Sequence, residues 1–340
     1  MTKIFLKHTV FVFCLSLFCF SVVRAESVRL EITDGIYNTS LKRQMENNAA
    51  KLLTEINNAQ AAGRDLNFTG IGITSDAKEN LTMLWEGTPF SCEESEIVER
   101  CLNLHSSNGN VREYQIRNIP LMMKPLESSY NDELYQEAVL CFDLQGNISD
   151  FSIAIGINQY KEIMEKGMEL NDLERRMMVL QFVEQFRTAY NRKNMDYLYQ
   201  IFSEDAIIIT GKVIKSTSNE VGISSPKVEY TVQSKKQYLD RLAKVFAANE
   251  YINVEFSDIK VMRNGALSGP KSNFYGVTVK QDWYSSNYSD KGYVFLLWDF
   301  NDEDHPQIHV RTWQPYYLNE KTKEELPEDE IFTLDDFKLP

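Results

Sequence analysis

The segment from Leu173 to Ile214 constrains the fold of this chain more than any other stretch. At helical spacing its first half carries one apolar stripe, formed by Met177, Leu180, Val183, Phe186 and Tyr190. Most of its charged residues lie off that stripe: Arg175, Arg176, Glu184, Arg187 and Arg192. A polar turn, a short apolar segment and a β-branched run at residues 207–210 follow. The pattern predicts a long amphipathic helix, a short second helix and a strand.

The joints between these elements carry two short motifs. Tyr190 precedes a turn over residues 191–194 that begins and ends with asparagine, and residues 202–206 read FSEDA. Both resemble the opening of nuclear transport factor 2-like (NTF2-like) domains, a superfamily that includes SnoaL-like, ketosteroid-isomerase-like and cystatin-like proteins. The resemblance extends over residues 170–316 as an order of elements. It implies an α+β fold in which helices cover a curved antiparallel sheet.

The residues beyond the first strand continue this order. The Ser-, Thr- and Gly-rich segment Lys215–Pro226 predicts a mobile loop, and Ser234–Ala248 predicts a third helix. Four strands separated by turn sequences are then predicted at Ile252–Met262, Asn273–Trp283, Gly292–Phe300 and Gln307–Trp313. We expect this NTF2-like domain to occupy residues 166–316.

The resemblance also implies where catalytic groups would stand. Ketosteroid isomerases use a tyrosine and a protonated aspartate as oxyanion donors, and a second aspartate moves the proton. Aligned on the two motifs, the tyrosine position falls at Phe186, the base at Thr210 and the donor aspartate near Leu296. None of these residues supplies the required group. The fold is therefore expected without that catalytic machinery, and we predict no cofactor.

The chain begins with a pattern typical of export. Lys3 and Lys7 precede an apolar run over residues 9–23, and residues 23–25 read Val-Arg-Ala, with small residues at the two positions that signal peptidase reads. We interpret residues 1–25 as a signal peptide. A membrane anchor is the alternative, although the run is short for a spanning helix. We expect an exported protein in the periplasm or cell envelope of a Gram-negative bacterium, with no stable membrane insertion after cleavage.

Charge and cysteine content narrow the function further. The formal net charge is −13, and cleavage would remove three basic residues and no acidic ones. A chain this acidic is not expected to bind nucleic acid through phosphates. In an oxidising compartment Cys92 and Cys101 form a candidate disulfide, with Cys141 as a buried thiol; the alternative is three separate thiols.

Residues 26–165 predict a smaller N-terminal α+β domain. Helices are predicted over Leu41–Ala62, with Ser40 as N-cap, and over Ser75–Trp85. Strands are predicted over Val111–Met123, Glu137–Asp143 and Phe151–Ile157. Helices followed by a meander loosely repeat the order of the second domain, so a divergent copy of the same fold is one interpretation.

Residues 317–340 form an acidic C-terminal tail. Its residues 319–340 carry eight acids against three lysines, with few apolar side chains. Such a composition predicts a solvated extension. A docked strand or a partner-binding segment is the alternative.

Candidate binding residues cluster on the last predicted strands. They are Trp283, Tyr293, Asp299, His309, Arg311 and Trp313. By the two-residue period of a strand, His309, Arg311 and Trp313 share one face, and Asp299 could pair with Arg311. The opposite face is more apolar and is expected to meet the helices; it carries Leu296, Trp298, Phe300, Ile308 and Val310. The polar face is either a surface for an unknown protein or small-molecule ligand, or an exposed or domain-packing sheet face.

The sequence carries no motif that identifies an enzyme. It has no phosphate-binding loop, HExxH, paired CxxC or GxSxG element, so no metal site is predicted. The leading hypothesis is a non-catalytic, exported cell-envelope protein that binds or interacts. The alternative is a small-molecule isomerase, dehydratase or hydrolase that uses His309 and Asp299 in a rearranged pocket of the C-terminal domain. A third interpretation is a structural homodimer formed through the outer sheet face.

Overall fold

The computed structural model describes residues 27–106, 109–124, 135–155, 163–164, 170–215, 226–265, 269–303 and 305–339. The predicted signal peptide, the boundary at residues 165–166 and the interior of the predicted Lys215–Pro226 loop lie outside these residues. The described chain forms two large antiparallel-rich sheets, each with its own hydrophobic core, and two small two-stranded sheets. Helices cover the sheets, so the predicted α+β class is confirmed.

The N-terminal half, residues 27–155, opens with a strand and two helices. β1 (Arg29–Asp34) leads to α1 (Thr39–Ala62) and α2 (Ser75–Gly87). The N-cap of α1 is Asn38 and not the predicted Ser40. The side chain of Asn38 accepts hydrogen bonds from the backbone amides of Ser40 and Leu41. α1 ends at Gly63, which adopts the left-handed conformation with φ of 59°. The apolar sides of both helices enter one core with the sheet.

The N-terminal sheet packs its inner face against these helices. Its strands are β2 (Phe90–Cys92), β4 (Leu102–His105), β5 (Val111–Met123), β6 (Tyr135–Phe142) and β7 (Ile148–Ile153). β5 is central and pairs with β2, β4 and β6, while β3 (Ser95–Arg100) pairs in parallel with β1. The strand order confirms the predicted meander from β5 to β7.

The C-terminal half, residues 170–339, contains the predicted helix, short helix and strand. They are α3 (Leu170–Asn191), α4 (Met195–Ile201) and β8 (Phe202–Lys215). β9 (Pro226–Ser234) pairs with β8 and leads into α5 (Lys235–Ala248), which a Ser234–Gln237 capping box begins. The four remaining long strands follow: β10 (Ile252–Arg263), β11 (Phe274–Ser285), β12 (Tyr288–Asp299) and β13 (Gln307–Pro315).

These six strands form one curved sheet in the order β10-β11-β12-β13-β8-β9. All pairs of neighbouring strands are antiparallel except β13 and β8, which run parallel. β8 precedes the meander in the sequence but lies beside its last strand in the sheet. α3, α4 and α5 cover its concave face and enclose an apolar core, which we call the cone. In the described residues of the N-terminal half no helix lies between α2 and the sheet strands, whereas α5 stands at that place in the C-terminal half. A divergent copy of the same fold therefore stays a prediction.

The acidic tail is docked, and the expectation of a solvated extension is wrong. After the short strands β14 (Tyr317–Asn319) and β15 (Glu324–Glu325), the chain crosses the convex face of the large sheet. There Leu334 is buried and the ring of Phe337 stacks on Phe295 with centroids 5.1 Å apart. Gln314 holds the tail backbone through both ends of its amide: it accepts from Phe332 N at 2.8 Å and donates to Glu330 O at 2.9 Å. The few apolar residues of the tail suffice to anchor it.

The candidate disulfide is absent, since Cys92, Cys101 and Cys141 are all free thiols. The Cys92 thiol lies against the α1 residues Leu53 and Asn57, at 3.7 Å from Leu53 O. Burial raises the pKa of Cys92 to about 12 and that of Cys101 to about 11. Both thiols are therefore packing groups of the N-terminal core, protonated at neutral pH. Among the helices that the structure describes, none combines the length and apolarity needed to span a membrane.

Candidate functional site

The six predicted binding residues do not form one surface. In β13 the pairing with β12 skips His309, since Ile308 opposes Trp298 and Val310 opposes Leu297. This β-bulge reverses the alternation of side chains beyond it. Trp283, Arg311 and Trp313 point into the cone, whereas Tyr293, Asp299 and His309 lie on the convex side. The expectation that His309 shares a face with Arg311 and Trp313 is wrong, and so is the placement of Val310 on the helix side.

The bulge also separates Asp299 from Arg311, so the predicted pair does not form. Asp299 instead lies 3.5 Å from His309 Nε2, and Asp205 lies 3.8 Å from the other ring nitrogen. The hydrogen bond from Ser203 holds the pKa of Asp205 below its usual range. His309 of β13 thus lies between Asp205 near the start of β8 and Asp299 at the end of β12. These contacts between neighbouring strands fit a role in stabilising the sheet.

The cone is filled by aromatic side chains at the position that the motif alignment assigns to the isomerase tyrosine. Phe186 is 1% exposed and contacts the rings of Tyr190, Phe202, Phe256 and Trp298 at centroid distances of 5.0 to 6.4 Å. Leu296, at the donor position, is fully buried in the same core. The helical stripe of α3 is therefore a packing surface over this part of its length.

One polar cluster lies at the C-terminal end of α3. The hydroxyl groups of Tyr190 and Tyr238 are 2.6 Å apart, and the Arg311 guanidinium lies 4.9 Å from the centre of the Tyr238 ring. Burial raises the pKa of Tyr238 far above its ordinary value, so this hydroxyl stays protonated. Burial likewise raises the pKa of Asp290, which accepts from Tyr288 at 3.0 Å. Arg311 stands out in the sequence, but its tyrosine and aspartate neighbours do not, because no pattern along the chain links them.

α3 is buried on both sides because the N-terminal sheet packs on its polar face. Glu184 forms a two-pronged ion pair with Arg117 of β5 and accepts from Ile155 N at 2.9 Å. Thr188 accepts from Ile153 N at 3.2 Å, and Arg187 donates to the carbonyl groups of Ala154 and Val254. Glu184 and Arg187, which the sequence places off the apolar stripe, are thus interface groups between the two halves, whereas Arg175 and Arg176 contact Glu303 and Val261 of the C-terminal half.

A cavity of about 430 Å³ opens beside this interface, and we call it the cleft. Both halves contribute to its walls, mostly with polar side chains. The lining residues are Asn80, Arg112, Glu113, Asp143, Ser149, Asp150, Gln181, Phe182, Gln185, Ala189, Arg192, Asn194 and Tyr197. A concave, polar space between two packed units is the kind of place where small ligands bind.

The acidic groups of the cleft have partners. Glu113 accepts from Ser149 Oγ and from Gln181 Nε2, both at 2.7 Å, and burial raises its pKa. Asp143 accepts from the backbone and the side chain of Asn147 at 2.8 and 2.9 Å. Asp150 has only longer contacts, at 3.4 Å to Gln185 and 3.5 Å to Arg192.

Arg192, at the end of α3, is the least satisfied group of the cleft. Its side chain is 4% exposed and reaches Asp150 through Nη1. Its Nε and Nη2 atoms have no hydrogen-bond partner among the residues that the structure describes, and neither has the hydroxyl of Tyr197. Burial lowers the pKa of Arg192, although the nearby Asp150 partly compensates, and burial raises that of Tyr197. No pattern along the chain signals this site, because its residues come from five separate elements.

Two features of the described residues bear on cofactors and on a second cavity. They contain no group of three or more histidine, cysteine or carboxylate side chains that could hold a metal ion. A cavity of about 560 Å³ lies between the tail and the convex sheet face, and Tyr293 and Glu325 contribute to its walls. Of the predicted candidates, only Tyr293 lines a cavity described above.

The fold and the cleft define a two-part α+β protein with an NTF2-like C-terminal half. No family model matches the sequence, and no curated protein matches it. Among solved structures, an NTF2-like protein from Cytophaga hutchinsonii is 12% identical with a TM-score of 0.30, covering 44% of this chain and 99% of its own. A naphthalene 1,2-dioxygenase with indole bound in its active site is 7% identical with a TM-score of 0.34, covering 47% and 88%. Bd1075 of Bdellovibrio bacteriovorus is 10% identical with a TM-score of 0.32, covering 65% and 95%.

These comparisons concern fold and carry nothing about activity. The resemblance stated from the two motifs is confirmed for the C-terminal half, where the order of α3, α4, β8, β9, α5 and the four-stranded meander is the predicted one.

Proposed function

We propose that the protein is a non-catalytic, exported protein of the cell envelope that binds a small polar ligand in the cleft. The observation that carries the proposal is the cleft itself: a cavity of about 430 Å³ between two packed sheets, with polar and charged side chains in most of its wall.

Export is part of the proposal and rests on the order of charged start, apolar run and Val-Arg-Ala in the sequence. Mass spectrometry of the protein from the envelope fraction should find Glu26 as its first residue. Detection of Met1 in that fraction would contradict cleavage.

Cleft binding is tested by filling the cavity. Asn80 lines the cleft, whereas its neighbour Glu79 on α2 is exposed and does not. We expect native mass spectrometry to detect a small-molecule adduct on the protein incubated with a cell extract of low molecular mass. Asn80→Trp should lose the adduct and the matched control Glu79→Trp should keep it. Equal adducts on both variants would contradict binding in the cleft.

A second candidate function is supported by the Tyr190–Tyr238 pair with Arg311 and Asp290 inside the cone. Paired hydroxyls beside a buried cation are suited to stabilising a developing oxyanion, so the alternative of an isomerase, dehydratase or hydrolase rests on these groups and not on His309 and Asp299. A screen of carbonyl substrates tests it. Turnover that falls by about 100-fold in Tyr190→Phe would favour the enzyme.

A further inference from the structure

A second cavity of the molecule takes no part in the proposed function. It has a volume of about 560 Å³ and lies between the convex face of the large sheet and the C-terminal tail. Met262, Thr278 and Tyr293 form its floor on β10, β11 and β12, and the tail residues Leu326 and Ile331 cover it. We call this space the tail cavity. Its size suits a small organic molecule.

The contacts that anchor the tail lie outside the tail cavity. Gln314 bonds to the tail backbone, and the ring of Phe337 stacks on Phe295. None of these three residues lines the cavity. A ligand can therefore occupy the tail cavity while the tail stays docked on the sheet.

Most of the charged groups in the wall of the tail cavity are carboxylates. They are Asp258, Glu325 and Glu328, while Lys260 is the one cation among the lining residues that the structure describes. Lys260 lies 3.1 Å from Glu328, so these two charges offset each other. Three carboxylates and one ammonium group leave an excess of two negative charges. All four residues are exposed, so a ligand in the cavity can reach their charged groups.

Tyr293 adds an aromatic ring to this negative wall. Burial raises the pKa of its hydroxyl group, and the charges of the three carboxylates raise it further, so the phenol stays protonated at neutral pH. The face of a neutral phenol ring attracts cations. The adjacent Tyr316 ring already binds one, since the Lys280 ammonium group lies 4.2 Å from its centre. The wall therefore favours a positively charged ligand.

The remaining lining residues indicate what kind of cation fits. A metal ion needs several oxygen ligands within about 2.0 to 2.6 Å of one point, and the described residues contain no suitable group of side chains. Met262, Leu326 and Ile331 instead offer apolar surface to the cavity. The CH groups of an organic ligand would leave water on contact with this surface, which favours binding.

We propose that the tail cavity binds an organic ammonium ion with an apolar body, such as an arylalkyl amine. Its ammonium group would lie beside Asp258 and Glu325, and its apolar part on Met262 and Ile331. This inference goes beyond the proposed function and does not rest on it, because the tail cavity and the cleft share no lining residue.

Isothermal titration calorimetry of the full exported chain tests the ligand class with matched probes: 3-phenylpropylamine, 3-phenyl-1-propanol, 3-phenylpropanoate and methylamine. At low salt we expect 3-phenylpropylamine to bind about fivefold or more tightly than each of the other three. Its advantage over the alcohol should shrink as salt is added, because exposed charges are screened. Equal or tighter binding of the alcohol or of the anion would overturn the inference, and so would the absence of any heat from the amine.

Variants then assign the contact to the carboxylates of the tail cavity. Asp258 has a φ of 48°, a left-handed conformation that asparagine also adopts readily, so Asp258→Asn removes the charge and keeps the backbone. Its affinity for 3-phenylpropylamine should fall about threefold, and its affinity for the alcohol should not change. Glu325→Gln is an independent variant with the same expected result. The control Glu229→Gln, on an exposed residue of β9 outside the cavity, should bind the amine like the wild type. Unchanged amine affinity in both Asp258→Asn and Glu325→Gln would overturn the site.

Asn80→Trp separates this site from the cleft. The variant fills the cleft, so it should bind 3-phenylpropylamine like the wild type. Loss of amine binding in Asn80→Trp would place the amine in the cleft and overturn the inference. If Asn80→Trp keeps both the amine and the adduct from the cell extract, cleft binding is wrong and the tail cavity stands.

Discussion

Arg117 of β5 and Glu184 of α3 join the two halves of the molecule through a buried, two-pronged ion pair. Their side chains are 7% and 1% exposed, and the same carboxylate also accepts from the backbone amide of Ile155. One helix thus contacts both halves: its apolar side belongs to the cone, and Glu184, Arg187 and Thr188 on its polar side bond to the N-terminal half. The cleft opens beside this ion pair.

Breaking this pair should be costly because it leaves a buried charge alone. We expect Glu184→Ala to lower the free energy of unfolding by about 3 to 5 kcal/mol, as urea denaturation would measure. The double variant Arg117→Met with Glu184→Leu should lose clearly less, since no charge is stranded. As a control, Lys236→Ala breaks an exposed ion pair with Asp240 and should change stability by less than about 0.5 kcal/mol. A single variant no worse than the double would contradict this account.

Phe186 should behave as a core residue of the cone. Its ring touches four aromatic neighbours, so Phe186→Ala should cost about 3 to 5 kcal/mol through lost burial and a residual cavity. Phe186→Tyr should also be destabilising, because the added hydroxyl would need a partner in an apolar environment. Urea midpoints of the two variants decide the matter: a neutral Phe186→Tyr would mean that the cone is wet at this point.

The tail should contribute to stability through its anchors and not through its charges. Phe337 stacks on Phe295, so Phe337→Ala should lower stability by about 1 to 3 kcal/mol and expose the convex sheet face. Asp335→Ala, on an exposed neighbour in the same segment, should be neutral within about 0.5 kcal/mol. Thermal unfolding with light scattering compares them. If the Phe337→Ala variant then formed dimers, the homodimer interpretation would gain support for that variant only.

The stability of the N-terminal half should depend on pH through Glu96. Burial, and then the charge of Glu93, raise the pKa of Glu96 from 4.5 to about 7. The folded state therefore holds this proton more tightly than the unfolded chain. Its stabilising contribution is complete below pH 4.5 and is lost as pH rises through about 7.

At pH 8 Glu96→Gln should accordingly be more stable than the wild type by about 1 kcal/mol, after allowance for solvent screening of a partly accessible group. At pH 4 the two proteins should be alike. Urea midpoints measured from pH 4 to pH 8 test both statements, and a difference that stays constant with pH would refute the role of Glu96.

Local sequence determined which elements form. The spacing of apolar residues in α3, the Asn-bounded turn after Tyr190 and the alternation of the last four strands depend on neighbours within a few positions, so they can be recognised in a single chain. Those patterns predicted the order of the C-terminal elements and hence the NTF2-like arrangement. They also placed Phe186 in the core.

Only the tertiary structure decided which surfaces meet. The bulge at His309 depends on how β13 pairs with β12 and β8, and that single additional residue moves Arg311 and Trp313 into the cone. The sequence alone does not show what the polar side of α3 contacts. In the structure Glu184 pairs with Arg117 and Gln181 donates to Glu113, and both partners lie on a sheet more than sixty positions away in the sequence. The cleft follows from that contact, because ion pairs, unpaired donors and cavities arise between segments distant in sequence, where local periodicity carries no information.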